Sequence, residues 1–401
     1  MLLSYALLAM VTLGICLAAR PIGHMLKVLD VPRRNGRKTH RRVTPLVGGL
    51  AIILPFVVLS CVEMGLFGTP LYFGLLVLSA TFLGMGFLDD RGHLPPGLRL
   101  SVATLSCAIV VFAVPELRLT QLDFAFGSFG PMPEWGGGAF AVLCLVALQN
   151  AVNMADGKNG LVIGLSLIWV AALAVYAPVQ LTPVLVVLAL GLCITLVFNL
   201  RSKLFLGDAG SYALSVVIGA LTIYTYNHHS GVTADTRMTA GGVALWFLVP
   251  VLDCGRLIIT RLMQGKSPFI ADRNHLHHLL IQKMNSKQAL VCYFTLVGAP
   301  IAMSVFARAW TPALVLAEMV IYWAAIWHLS PHTESKPARI LPFPARPMAA
   351  ARRHQPVSAT GAVFVHDHAD SAVVAHQRST EVLPVQQSAN VSRLPFSNVG
   401  Y

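Results

Sequence analysis

Apolar residues fill this chain in long unbroken runs, each closed by a short polar segment rich in Gly, Pro, Lys or Arg. Crossing the hydrocarbon core of a bilayer takes about 20 helical residues. On that criterion the sequence predicts eleven spans, near 2–19, 46–66, 70–88, 98–115, 137–154, 160–177, 182–200, 209–226, 239–258, 288–307 and 311–330. The expected fold is an all-α polytopic membrane protein. After residue 330 the pattern stops. Residues 331–401 are rich in Pro, Ala, Ser, Val, His and Arg and hold no long apolar run. Such a segment buries too little to fold, so the division expected is a membrane domain over 1–330 and a disordered cytoplasmic tail over 331–401. The scattered His354, His366, His368 and His376 read as solvated tail residues rather than a metal site.

Composition agrees with the runs. The chain is 56% hydrophobic and 11% charged, against roughly 25% charged in soluble domains. The seven cysteines fall singly in or beside apolar runs with no ligand spacing, and read as small core residues. The net charge of +12 does not point to nucleic acid, because the basic residues are sorted. In the eleven-span arrangement only Arg118, Arg237 and Arg308 fall outside, and the other Lys and Arg fall inside or at the inner boundary. That asymmetry predicts an external N-terminus and a cytoplasmic C-terminus. Residues 2–19 lack a basic leading segment and are followed by Arg20, Lys27, Arg33 and Arg34, so they read as an uncleaved first span rather than a signal peptide.

The acidic residues change the picture most. There are only 17, yet Asp89, Asp90, Asp156, Asp208 and Asp253 lie where apolar runs meet polar loops, on one predicted side. An ionisable group at membrane depth is costly and marks function. The first cytoplasmic loop carries Lys38, His40 and Pro45 before Gly48-Gly49, a pattern of a loop folded back on a helix end. Asp89-Asp90 close an apolar run, where two adjacent charges need a cation to offset their repulsion. Asn150-Ala-Val-Asn153-Met-Ala-Asp156-Gly-Lys-Asn159-Gly puts two amides one helical turn apart before a Gly-broken turn. Lys203-Leu-Phe-Leu-Gly-Asp208-Ala-Gly-Ser211 is a turn into a helix start, with a hard oxygen ligand for a divalent ion. The longest polar loop ends in Ser267-Pro-Phe, then Asp272-Arg273-Asn-His275-Leu-His277-His278. No Cys or Glu completes a tetrahedral zinc set there, so a hydrogen-bonding site for a sugar and diphosphate is the preferred reading.

These five segments, in this order over about residues 1–330, resemble the polyprenyl-phosphate N-acetylhexosamine-1-phosphate transferases, in their bacterial UDP-N-acetylglucosamine:undecaprenyl-phosphate branch. The arrangement Arg-x-His-x-His-His sets the chain apart from the branch that transfers phospho-MurNAc-pentapeptide. Asn159 departs from the usual bacterial pattern, which has Asp there; the eukaryotic dolichyl-phosphate relatives share the Asn. The resemblance implies a multi-pass enzyme of the bacterial inner membrane. Its partners would be a UDP-N-acetyl sugar, undecaprenyl phosphate and the lipid bilayer, with UMP as the leaving product. It implies Mg²⁺, with Mn²⁺ as substitute, held by Asp208 and Asn153. Asp89 and Asp90 would act at the nucleophile, as a base or by positioning a cation. Asp156 and Asn159 would line the nucleotide pocket. Lys38, His40, Lys203, Arg273, His275, His277 and His278 would contact sugar and diphosphate. The alternatives are another UDP-N-acetyl sugar, or a transporter, which would place its acids near span centres.

Overall fold

The computed structural model describes residues 2–31, 42–228, 238–270 and 272–330. Lys38 and His40, most of the expected external loop 227–238, and the tail 331–401 lie outside the described residues. All elements below belong to the unit Met1–Glu334.

Thirteen α-helices are present among the described residues: α1 (Leu2–Leu17), α2 (Ala19–Leu26), α3 (Gly48–Phe67), α4 (Pro70–Gly92), α5 (Pro96–Ala113), α6 (Glu134–Ala155), α7 (Leu161–Tyr176), α8 (Thr182–Leu200), α9 (Gly207–Asn227), α10 (Ala240–Met263), α11 (Leu276–Lys283), α12 (Ser286–Phe306) and α13 (Thr311–Leu329). Proline at the first or second position opens α4, α5, α8 and α13, where its missing N–H costs nothing. A capping box of Asn285 and Gln288 opens α12, and the Thr239 hydroxyl accepts from Gly242 N to open α10.

Nine of these helices are long and apolar enough to cross a membrane. The remaining two expected spans differ from the expectation. The first is a broken pair, with α2 bent 70° from α1. The bend sits where the apolar run ends at Arg20, and α2 is amphipathic rather than uniformly apolar. The other is α7, only 16 residues long, or about 24 Å at 1.5 Å per residue. It packs within the bundle against α8, α9 and α12. The expected run 160–177 is shortened because Gly160 stands outside the helix with φ +85°. Two features had no counterpart in the apolar pattern. One is a hairpin of β3 (Leu122–Phe124) and β4 (Gly127–Phe129), numbered after the short pair β1 (Leu29–Asp30) and β2 (Thr44–Pro45). The other is α11, too short and too polar to register as a run.

Helix α9 is the axle of the bundle. Of its most apolar window, 94% is buried inside the protein, and it packs against α3, α4, α6 and α7. A helix buried on all sides carries apolar residues all round, which explains a run from Tyr212 to Ile223 with Ser, Gly and Thr as its only relief. The N-terminus of α9 is where the functional residues gather.

Candidate active site

The final turn of α4 carries Asp89 and Asp90, and the two side chains part company. Asp89 is 4% exposed. It accepts from Leu94 N at 2.7 Å, from Arg99 Nη1 at 2.8 Å and from the Tyr212 hydroxyl at 2.7 Å. The same guanidinium nitrogen also reaches the Tyr212 oxygen, at 2.9 Å. Asp89 therefore ties α4 to α5 and α9. Asp90 turns to the start of α9 and accepts from Asp208 N at 2.9 Å and Ala209 N at 3.1 Å. A carboxylate on these free N–H groups satisfies them and meets the positive end of the helix dipole.

This contact depends on glycine. Gly207 has φ +76°, and a Cβ there would lie 2.6 Å from Asp90 Oδ2. Around it the backbones nearly touch. A Cβ on Gly86 would be 2.4 Å from Ala209 Cα, and one on Gly49 would be 2.3 Å from Gly210 Cα. Gly48 N and Gly49 N donate to Phe205 O and Leu206 O, at 2.9 and 3.0 Å, while Phe205 N donates to Pro45 O at 2.9 Å. The described part of the first polar loop, from Pro45 onward, is thus laced to the turn before α9.

Asp208 meets the end of α6. Asn153 Nδ2 donates to Asp208 Oδ1 at 2.7 Å and to Ser211 Oγ at 3.1 Å. Asn150, one turn earlier, instead turns to Val146 O and Gln149 Oε1, so the two amides do not act together. Asp156 follows α6 in the turn to α7. Burial, and then the charge of Asp208, push its carboxyl up to about 7. The negative charge gathered here calls for a cation. No group of three His, Cys, Asp or Glu side chains able to hold a metal occurs among the described residues. Mg²⁺ commonly takes one or two carboxylates and leaves the remaining positions to water and substrate phosphates, and Asp208 with the Asn153 amide fits that smaller set.

A histidine cluster stands beside the same turn. A Cβ on Gly157 would lie 2.2 Å from His277 Nε2, so glycine is what lets the ring come this close to the turn after α6. His277 is 4% exposed and its Nε2 has no hydrogen-bond partner. Burial, then the neighbouring His278 and His275, push its pKa down to about 3; this ring stays neutral at physiological pH. It stacks on His275 with ring centres 5.6 Å apart and lies 4.1 Å from His278. His275 Nδ1 is 2.8 Å from Asp253 Oδ2. Asp253 is also reached by Arg256 and Tyr322. Burial raises the Asp272 carboxyl, but Asn274 N–H and the Arg261 guanidinium outweigh it and hold the group below its ordinary value. Arg261 grips Asp272 Oδ2 through Nε and Nη2, at 3.0 and 2.8 Å, and so fixes the turn that carries Arg273.

The remaining expected residues sit at the margins. Arg273 is exposed next to the histidines. Asn159 Nδ2 donates to Ser202 Oγ at 2.8 Å, and its neighbour Gly160 N donates to Asn199 Oδ1 at 2.6 Å; both face the turn after α8. Lys203 is exposed, with its ammonium 5.6 Å from the Phe198 ring centre. Lys158, beside Asp156, donates to Ser286 Oγ at 2.9 Å, and burial lowers its pKa. The sequence reading passed over Arg99, Tyr212 and Tyr322.

A cluster of acids and amides at one end of a membrane bundle, faced by a neutral buried imidazole, suits the handling of an anionic sugar phosphate at the bilayer surface. Transport would set its ionisable groups along a path through the midplane. The described residues thus define a membrane-embedded transferase of the glycosyl-1-phosphate class. The profile of glycosyl transferase family 4 matches residues 72–226. The chain is similar to the undecaprenyl-phosphate alpha-N-acetylglucosaminyl 1-phosphate transferase of Yersinia pestis, with 31% identity over 299 residues, covering 71% of this chain and 78% of the relative. The protein of that name from Escherichia coli (strain K12) is 29% identical over 300 residues, or 71% and 77%. A probable undecaprenyl-phosphate N-acetylglucosaminyl 1-phosphate transferase of Bacillus subtilis (strain 168) is 26% identical over 319 residues, or 75% and 84%. The chain belongs to the polyprenyl-phosphate N-acetylhexosamine-1-phosphate transferase family.

Proposed function

We propose that this protein transfers N-acetylglucosamine 1-phosphate from UDP-N-acetylglucosamine to undecaprenyl phosphate, giving undecaprenyl-diphospho-N-acetylglucosamine and UMP. The observation that carries the reading is the contact of the Asp156–Gly157 turn with His277, because it joins the acidic cluster to the histidine cluster in one polar site. The names of the relatives support the acceptor and the sugar. The membrane is the bacterial inner membrane, and the site faces the cytoplasm. The sorting of Lys and Arg along the chain supports that orientation, and α7 with the α1–α2 pair would complete eleven spans.

In this reading a non-bridging oxygen of the lipid phosphate attacks the β-phosphorus of the donor, and the bond to the UMP oxygen breaks. The second pKa of a phosphate monoester is near 6, so the nucleophile is largely deprotonated at neutral pH and needs little base catalysis. Asp89 and Asp90 both already accept from protein donors, which favours positioning over proton removal. Asp89 orients Arg99, whose guanidinium offers positive charge at the membrane boundary. Asp90 fixes the start of α9 and with it Asp208. Asp208 and Asn153 would hold Mg²⁺, which would offset diphosphate charge as UMP departs. The neutral His277, with Arg273 and His278 beside it, would line the sugar-diphosphate side. Asp156 and Asn159 would bound the nucleotide.

The test is UMP release by purified protein given undecaprenyl phosphate and a panel of UDP-sugars. UDP-N-acetylglucosamine should give the highest kcat/KM. Preference for another UDP-N-acetyl sugar would revise the donor, and no UMP from any of them would overturn the reading.

A further inference from the structure

Asp253 is an acid the reaction above leaves unused, yet it is among the most heavily engaged side chains in the protein. It lies nearly three turns from the end of α10 and is 4% exposed. Its Oδ1 accepts from Arg256 Nη2 at 2.9 Å and from the Tyr322 hydroxyl at 2.9 Å. Its Oδ2 lies 2.8 Å from His275 Nδ1, and Leu276 N stands 3.2 Å from both oxygens. Arg256 Nε donates in turn to the Tyr322 oxygen at 2.9 Å and Nη2 to Asn274 O. One carboxylate thus joins α10, α13 and the first residues of α11.

The chemistry of that node fixes a proton. An ionised carboxylate only accepts, so the short contact to His275 requires the hydrogen on Nδ1. The other ring nitrogen, Nε2, then points away from α10. A hydrogen bond to one imidazole nitrogen sets what the other can do. Next to this ring lies His277, neutral and buried, with its own Nε2 unpartnered and turned to the Gly157 backbone. Such an unpaired buried nitrogen is costly unless substrate completes it.

We propose that Asp253 is a positioning residue for the donor: it fixes His275 as the Nδ1–H form, anchors the first turn of α11 through Leu276 N–H, and so aims the His275 and His277 Nε2 atoms at the sugar diphosphate. This rests on the transferase reading. Asp253 touches no reacting atom; it acts through the two rings. Tyr322 meets only Oδ1, the oxygen that His275 does not reach, whereas Arg256 holds Oδ1 and also Asn274 O beside the histidines.

Three full-length variants, purified alongside wild type, test the idea: Asp253→Asn, His275→Gln and Tyr322→Phe. The last removes one brace of Asp253 and leaves the His275 contact, so it reports the structural value of the node. Asp253→Asn should raise the KM for UDP-N-acetylglucosamine by at least ~10-fold, the scale of loss when a ligand's orienting partner is removed. The KM for undecaprenyl phosphate should stay within about twofold, because the acids and Arg99 are untouched. His275→Gln should repeat that split. Tyr322→Phe should lower the melting temperature without it. Equal changes in both KM values for Asp253→Asn, or the same KM split in Tyr322→Phe, would make Asp253 a structural anchor only and overturn the proposal. Independently of activity, nitrogen-15 spectra of histidine-labelled wild type, with those of His275→Gln subtracted, give the state of this ring. A protonated Nδ1 is expected; an unprotonated Nδ1 overturns the proposal even if Asp253→Asn does not accumulate. Should wild type release no UMP, the transferase reading fails, while the spectra still decide the proton's position.

Discussion

Asp90 does not face Asp208 as one acid opposing another; it holds the Asp208 backbone N–H at 2.9 Å. The carboxylate of α4 thereby places the carboxylate of α9. The neighbouring N–H of Ala209 donates to the other oxygen at 3.1 Å, so the grip is bidentate.

Asp208→Asn should keep this geometry and the acceptor for Asn153 while removing one charge. If Asp208 holds Mg²⁺, UMP turnover should fall at least ~100-fold, about 2.7 kcal/mol of transition-state stabilisation. A residue acting only at the helix start would instead cost about 1 kcal/mol of stability and spare turnover. Turnover across a Mg²⁺ titration, together with the melting temperature, separates the two.

Arg99 and Asp89 form a charged pair that ties α5 to the end of α4. Arg99→Ala leaves Asp89 without its cation in a 4% exposed position. Loss of one partner of a buried pair costs about 3 kcal/mol or more, and Arg99, with its side chain 28% exposed, belongs at the low end of that range. Adding Asp89→Asn should recover part of the lost stability, because a neutral amide tolerates burial better. Chemical unfolding of the two single variants and the double variant gives the coupling; a strictly additive result would count against the pairing.

Asp156 predicts a pH dependence of defined sign. Its folded-state pKa of about 7 lies above the ordinary value of about 3.9. Between those values the folded, metal-free protein holds more protons than the unfolded chain, so stability falls as pH rises through the window and levels off above it. In chelator, the melting temperature should drop from pH 5 to pH 7, and Asp156→Asn should flatten that slope. Added Mg²⁺ should favour the ionised form and reverse much of the loss. An unchanged slope in the variant would assign the pH dependence to other groups.

Gly157→Ala should damage the site from the other side. The new methyl would meet His277 Nε2 at 2.2 Å, and overpacking of this kind typically costs about 1–3 kcal/mol. The UDP-sugar KM should rise. In a His277→Ala background the same substitution should cost little more, since the obstructing ring is gone. Full additivity of the two changes would show that the glycine matters for another reason.

The sequence exposed those parts of the fold that composition encodes. Apolar runs located the long helices to within a few residues, because the bilayer imposes one length on them. The bend after Leu17, the short α7 and the helix α11 escaped because their limits are set by packing and by turns such as Gly160. Among site residues, Asp89, Asp90, Asp156 and Asp208 were legible as acids where apolar runs end. Arg99 was not, since in the first turn of α5 it resembles any other arginine at the edge of an apolar run. Tyr212 is hidden in the apolar run of α9, and its partners come from residues 89 and 99. Asp253 was visible, but two of its partners, His275 and Tyr322, lie 22 and 69 residues away in sequence and needed the folded chain to appear. Asn159 and Lys203 share motifs with central residues, yet their side chains turn to Ser202 and Phe198.

The seam where α3 and α4 clasp the start of α9 is made of peptide backbone. Gly49 and Gly86 leave a Cβ 2.3 and 2.4 Å from main-chain atoms, and no side chain stands there to be trimmed in return. A codon change at either glycine adds bulk that no second change elsewhere can take back. The side chains lining lipid, by contrast, can drift freely. The head of α9 is therefore the part of the bundle with the least room to vary, and the lipid-facing surface the part with the most.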